Sequence, residues 1–219
     1  GASMANYIRL MYPDFKPKKI LDCGCTIGHN AVAWAKTYPE ASTHAIDVCA
    51  PVLRYGNARA QSQGVEVHFS QMNATALDFD DDSFDVVFTS MFLHELPPND
   101  IRFFMAEAYR VLKPGGLLLN MELPPNDQMT AYDSFYLDWD CYYNQEPYSK
   151  CFRDQHYQTL CTTAGFAESD CVQFVMPQYG YMPSDDFEAA IGCENVIDDK
   201  VGRLTTGIQW FAFGAWKGA

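Results

Sequence analysis

The chain is short of basic residues. Its 219 residues hold 15 Lys and Arg against 28 Asp and Glu, a formal net charge of −13, with no basic run. That balance speaks against a nucleic-acid partner, which needs a basic footprint. No apolar stretch approaches the roughly 20 residues needed to span a bilayer, and no signal peptide is recognised, so neither a membrane nor secretion is expected. Of the eight cysteines none forms C-x-x-C. Cys141, Cys151, Cys161 and Cys171 recur every ten residues, but the intervals share no pattern. Reduced thiols in a cytoplasmic setting are expected. The five histidines show no paired helical spacing, and no metal site is expected.

What is present is an alternation of strand and helix. Ile20-Leu21-Asp22-Cys23-Gly24-Cys25-Thr26-Ile27-Gly28 reads as a strand ending in an acid and a loop bounded by glycines, with a helix from Asn30 to Thr37. In an open α/β sheet, ligands bind at that strand end. Gly24 would let backbone approach a ligand, Gly28 would let helix pack on strand, and the loop amides would offer donors to an anion. The loop is neither G-x-G-x-x-G nor a P-loop, since no Gly-Lys-Ser/Thr follows. An ordinary turn between strand and helix remains the plain alternative.

Further strands are expected at Thr43–Asp47, Val65–Phe69, Ser83–Ser90 and Leu117–Met121. Asp47 lies 19 residues beyond Gly28, an interval at which such folds set a carboxylate on a ribose diol. Ile101, Phe104, Met105, Ala108 and Leu112 recur at helical spacing and predict a helix covering one sheet face. Ala5–Tyr12 predicts a short helix with Ile8, Met11 and Tyr12 on one side. Cys151–Ala164 predicts another, stopped by Gly165. Strands near Glu168–Met176 and Gln209–Trp216 would close the sheet as an antiparallel pair. The link between them, Pro177–Leu204, is long for a hairpin, and such connections tend to be functional or disordered.

The ordered set Leu21-Asp22-x-Gly24-Cys25-x-x-Gly28, Ile46-Asp47, Asn73-Ala74, Asp81-x-Ser83-Phe84-Asp85-Val86-Val87 and Arg110-Val111-Leu112-Lys113-Pro114-Gly115-Gly116 resembles the class I S-adenosylmethionine-dependent methyltransferases over roughly residues 17–122. It is most similar to their small-molecule branch. Phe92-Leu93-His94-Glu95-Leu96-Pro97 follows the fourth strand, where nucleic-acid amino-methylating relatives carry Asn/Asp-Pro-Pro-Tyr/Phe. The resemblance implies a Rossmann-like, seven-stranded, mostly parallel sheet with an antiparallel final strand and helices on both faces. It implies S-adenosylmethionine as cofactor and a small-molecule acceptor methylated on O, N, S or C. It also implies that Gly24, Cys25 and Gly28 approach the methionine part and that Asp22 orders the loop or meets the ammonium. Asp47 would hold the ribose, Val48 would flank the adenine, Asn73-Ala74 would reach its amine, and Ser90 and Met91 would lie beside the sulfonium. Thr26 departs from the family's glycine; threonine would suit a helix N-cap there.

One domain is expected over residues 4–219, with Gly1-Ala2-Ser3 read as an expression scar. Residues 4–122 would bind cofactor and 123–219 the acceptor. Tyr132, Phe135, Tyr136 and Trp139 recur at i, i+3, i+4, i+7 with Tyr143 beyond. They suit either a helix packed by its aromatic face or an acceptor pocket. The acceptor pocket is expected from Phe92, His94, Tyr132, Tyr136, Trp139 and Tyr143. Asp138 and Asp140 read as solvated. His94 is the candidate general base, because its neutral-range pKa suits deprotonation of a hydroxyl, and Glu95 could orient it. Two other readings stand beside this one: a catalytically silent methyltransferase-like binding or scaffold subunit, and a nicotinamide-dependent oxidoreductase. The resemblance to bacterial methyltransferases with an N-terminal extension favours a missing N-terminal cap and a homodimer interface. Closure by the aromatic region and the Pro177–Leu204 link is the alternative.

Overall fold

The computed structural model describes residues 1–177 and 209–218. Strands β1 (Lys19–Cys23), β2 (Ser42–Asp47), β3 (His68–Gln71), β4 (Phe84–Ser90), β5 (Leu112–Glu122), β6 (Cys171–Pro177) and β7 (Gln209–Trp216) form one sheet in the order β3-β2-β1-β4-β5-β7-β6. β1 to β5 run parallel, and β7 pairs antiparallel with both β5 and β6. The strand order reverses at β1, the switch point where such sheets place ligands.

Alternation along the strands assigns each side chain to one of two layers. Ile20, Val86, Phe88, Leu117, Leu119 and Met121 face one way and pack with Trp34 of α2 (His29–Thr37) and with Met4, Tyr7 and Ile8 of α1 (Ala2–Met11). Leu21, Val87, Leu118, Phe211 and Phe213 face the other way, against α4 (Pro98–Val111) and α7 (Tyr157–Ala164). α3 (Ala50–Ser62) packs beside α2 over β2 and β3. Helices therefore cover both faces, as the fold class requires.

The motif residues at the opposite edge of the sheet are structural. Asp85 accepts from the amides of Lys18 and Lys19 and from Lys113 Nζ at 2.8–2.9 Å. Arg110 donates to Glu107, Asp81 and the carbonyls of Leu77 and Phe79. These contacts tie the loop before β4 to α4.

Several expectations need correction. The first helix begins at Ala2, and Met11 is exposed because the buried stripe runs through Met4, Ala5, Tyr7 and Ile8. β3 starts three residues later than Val65 and pairs only from His68, opposite His44. The Cys151–Ala164 segment is two helices, α6 (Ser149–Arg153) and α7, separated by Asp154–His156. Gly165, at φ 117°, ends α7 as expected. The Pro177–Leu204 link lies, beyond Pro177, outside the described residues.

Candidate functional site

The C-terminal ends of the parallel strands bring Asp22, Asp47, Ser90 and Glu122 to one edge of the sheet. Asp22 is 1% exposed, and neither carboxylate oxygen has a side-chain hydrogen-bond partner among the described residues. Burial pushes its carboxyl up to about 7, while the Ala31 amide pulls the other way. A buried carboxylate with so little donor support is costly unless a cation or proton meets it.

Asp47 Oδ2 accepts from Thr26 N at 3.0 Å and Oδ1 from Cys49 N at 2.8 Å. The second acid thus orders the glycine loop and still presents unused lone pairs. Thr26 is not an N-cap: α2 starts after Gly28, and Thr26 itself sits at φ 48°. A β-branched residue there is strained, and its N–H bond to Asp47 holds it in place.

The loop glycines act differently from expectation. A Cβ on Gly24, at φ 69°, would lie 2.4 Å from the ring of Phe92, and one on Gly28 would lie 2.6 Å from the ring of Phe69. Phe92 thus packs against Gly24, and Gly28 makes room for Phe69 of β3. Cys25 is buried in the core beside α2 and α3, so only its backbone can reach the site. Ala74 is likewise a core residue. Asn73 turns its amide oxygen onto Thr75 N and Oγ1, both at 3.0 Å. Those two bonds use both lone pairs, so acceptance from an adenine amine does not fit this conformation. Val48 is exposed at the end of β2, and Met91, at φ 50°, is exposed after β4.

The 3-10 turn Leu93–Glu95 carries His94, which is 3% exposed. Its Nδ1 lies 2.6 Å from Glu122 Oε2. Glu122 Oε1 accepts from the amides of Phe92 and Leu93 at 2.7 and 2.6 Å. Burial lowers the His94 pKa, but the Glu122 hydrogen bond and the charges of Glu122, Glu146 and Glu95 outweigh it, and the net shift is upward. The Glu122–His94 partnership was missed from sequence, although Glu122 stands at the end of β5 as Asp22 does at the end of β1.

α5 (Ala131–Asn144) begins with Thr130 capping Asp133 N at 3.1 Å. Its aromatic residues do not pack the helix down. Tyr132, Phe135, Tyr136, Trp139, Tyr142 and Tyr143 are all exposed, and Cys141 is the buried residue of this helix. Tyr132, Tyr136, Trp139 and Tyr143 therefore present their rings to solvent on α5, while Phe92 is partly buried and His94 buried in the turn after β4. Asp138 is not merely solvated: it pairs with Lys150 at 3.0 Å and with buried Arg153 at 2.5 Å. Gln145, at φ 60°, reverses the chain after α5 and brings Glu146 back toward His94.

Residues 20–116 match the family described as a methyltransferase domain. These residues form a methyltransferase domain of the class I S-adenosylmethionine-dependent kind. S-adenosylmethionine is the cofactor of that class. The domain is 35% identical over 109 residues to a demethylmenaquinone methyltransferase of Thermus thermophilus, covering 50% of this chain and 49% of that one. It is 30% identical over 167 residues to the ubiquinone/menaquinone biosynthesis C-methyltransferase UbiE of Dinoroseobacter shibae, covering 68% and 66%. The chain spans about half the length of the first curated relatives it matches. The Bacillus subtilis YcgJ structure shares the fold at a TM-score of 0.62 and 20% identity, over 98% of this chain and 99% of that one. The methyltransferase domain's residues fit the cofactor where it is most demanding. Asp22 offers a buried carboxylate with no side-chain donor, and Asp47 is a fixed acceptor at the next strand end.

Proposed function

We propose that the chain binds S-adenosylmethionine at the Asp22–Asp47 edge and transfers its methyl group to a small organic acceptor. The observation that carries this reading is the buried carboxylate of Asp22 at the sheet's switch point, which no side chain partners, flanked by an Asp47 already anchored to the glycine loop. Asp22 would hold the cofactor's ammonium, and Asp47 would accept from the ribose hydroxyls. Val48, Ser90 and Met91, at the adjoining strand ends, would flank the nucleoside and the sulfur. Bound there, the cofactor supplies a methyl group already activated by positive charge on sulfur.

The protein's task is then positioning and exclusion of water. Phe92 closes the loop against Gly24 on one side. His94 stands beyond it, held by Glu122 at Nδ1, so that in the neutral ring Nε2 carries the lone pair. His94 is the candidate acceptor for a proton leaving a hydroxyl. The relatives whose names state a quinone or menaquinone role support a small-molecule acceptor. The net charge of −13 favours neutral or cationic acceptors.

Calorimetric titration with S-adenosylhomocysteine, with NAD as control, tests this reading. Binding of the first and none of the second is the expected result. NAD binding, or binding of neither, would overturn it, the second outcome favouring a silent scaffold.

A further inference from the structure

We propose that Nε2 of His94 and the carboxylates of Glu95 and Glu146 bind a divalent metal ion. Their ligand atoms lie within 4.8 Å of one another. They arrive from two separate stretches, the turn after β4 and the chain reversal after α5. The use of such an ion in methyl transfer rests on the function proposed above; its binding does not.

His94 supplies the observation that points to a ligand. The ring is almost wholly buried and its Nδ1 is taken by Glu122. Nε2 makes no hydrogen bond among the described residues, its nearest polar partner being Glu95 Oε1 at 3.8 Å. In the neutral ring Nε2 faces two carboxylates, a donor set that a divalent cation can complete. Neighbouring cations are committed elsewhere, since Lys150 and Arg153 both pair with Asp138. Among the described residues neither Glu95 nor Glu146 pairs with a lysine or arginine. The Glu122 carboxylate behind the imidazole is the partner that metal-bound histidines generally keep, fixing tautomer and ring orientation.

The donor set selects the kind of ion. One imidazole with two carboxylates suits first-row ions such as Mn²⁺, Fe²⁺ or Zn²⁺, whereas Ca²⁺ and Mg²⁺ prefer oxygen throughout. Glu95 is half-exposed and can rotate inward to close the set. Three protein ligands leave open positions. An acceptor hydroxyl bound at one would release its proton to bulk water more readily. With the ion in place His94 acts as ligand and not as proton acceptor.

The test uses the full chain, stripped with chelator and titrated with Mn²⁺ at constant pH. Mn²⁺ is the probe because the exposed thiols of Cys49 and Cys151 would compete for Zn²⁺. Expected are one Mn²⁺ per chain and, by pulsed EPR, a nitrogen coupling from a single imidazole. Affinity should fall at least about tenfold in His94→Gln and Glu146→Gln, and about 10–100-fold in Glu122→Gln. Thermal melts and S-adenosylhomocysteine titration of each variant report whether it is folded. Absence of stoichiometric Mn²⁺, absence of the nitrogen coupling, or undiminished affinity in folded His94→Gln and Glu146→Gln would overturn the proposal. Wild-type protein that binds S-adenosylhomocysteine but not Mn²⁺ overturns this inference alone. The reverse result overturns the proposed function alone.

Discussion

His94 and Glu122 meet at 2.6 Å through Nδ1 and Oε2, joining the turn after β4 to the end of β5. Glu122 is fully buried and accepts from two backbone amides as well. It therefore holds the shape of the turn and the orientation of the imidazole together.

Glu122→Ala should leave those two amides and the imidazole without an acceptor. A loss of about 1–3 kcal/mol is expected from unpaired buried donors. Glu122→Gln should lose less, since its amide oxygen can still serve the Phe92 and Leu93 amides. Urea denaturation of both variants checks the order; equal losses would mean that the backbone contacts contribute nothing.

Asp47→Ala should weaken S-adenosylhomocysteine binding by roughly 1–3 kcal/mol, the scale of a lost polar partner. It should also loosen the glycine loop, because Thr26 N and Cys49 N lose their acceptor. Calorimetry measures the first effect and amide hydrogen exchange at Thr26 the second. Unchanged affinity would mean that the ribose site lies elsewhere.

Asp22 gives a pH signature. Its folded-state pKa is raised from 3.8 to about 7, so between those values the native state holds more protons than the unfolded one. The stability contribution of this group is full below about pH 4 and falls as pH rises through 7. Asp22→Asn should abolish that fall, visible in melting temperatures from pH 5 to 8. An ammonium placed beside Asp22 should lower its pKa, so cofactor binding near pH 7 should release a proton. Calorimetry of S-adenosylhomocysteine binding in buffers of different ionisation enthalpy reads that proton, and Asp22→Asn should remove it.

Thr26→Gly should stabilise the protein by about 1 kcal/mol. The φ of 48° is strained for threonine and free for glycine, and the glycine's larger unfolded-state entropy offsets part of the gain. The Thr26 backbone bond to Asp47 survives the change. A lowered melting temperature would show that the threonine side chain has a contact of its own value.

Much of the fold was legible because its signals are local. An apolar run ending in an acid marks a strand end, a repeat of apolar residues at three and four marks a helix face, and Gly165 stops α7 where the sequence places it. The meeting of Asp22 and Asp47 at one edge of the sheet followed from the same signals, since they close successive strands. Thr26 was misread as a cap because positive φ in a β-branched residue leaves no mark in the sequence.

The amino-acid sequence by itself determined the succession of strands and helices, the family and the two carboxylates at the ends of β1 and β2. Periodicity and turn chemistry act over a few residues, and those features need nothing more. Tertiary structure alone decided that Phe92 fills the space against Gly24, that the aromatic stripe of α5 points outward, and that Glu122 and Glu146 converge on His94. Each depends on strand order, register and the reversal at Gln145, which bring together side chains far apart in the chain. No local pattern carries that information, because the energy of such a meeting belongs to the packed whole.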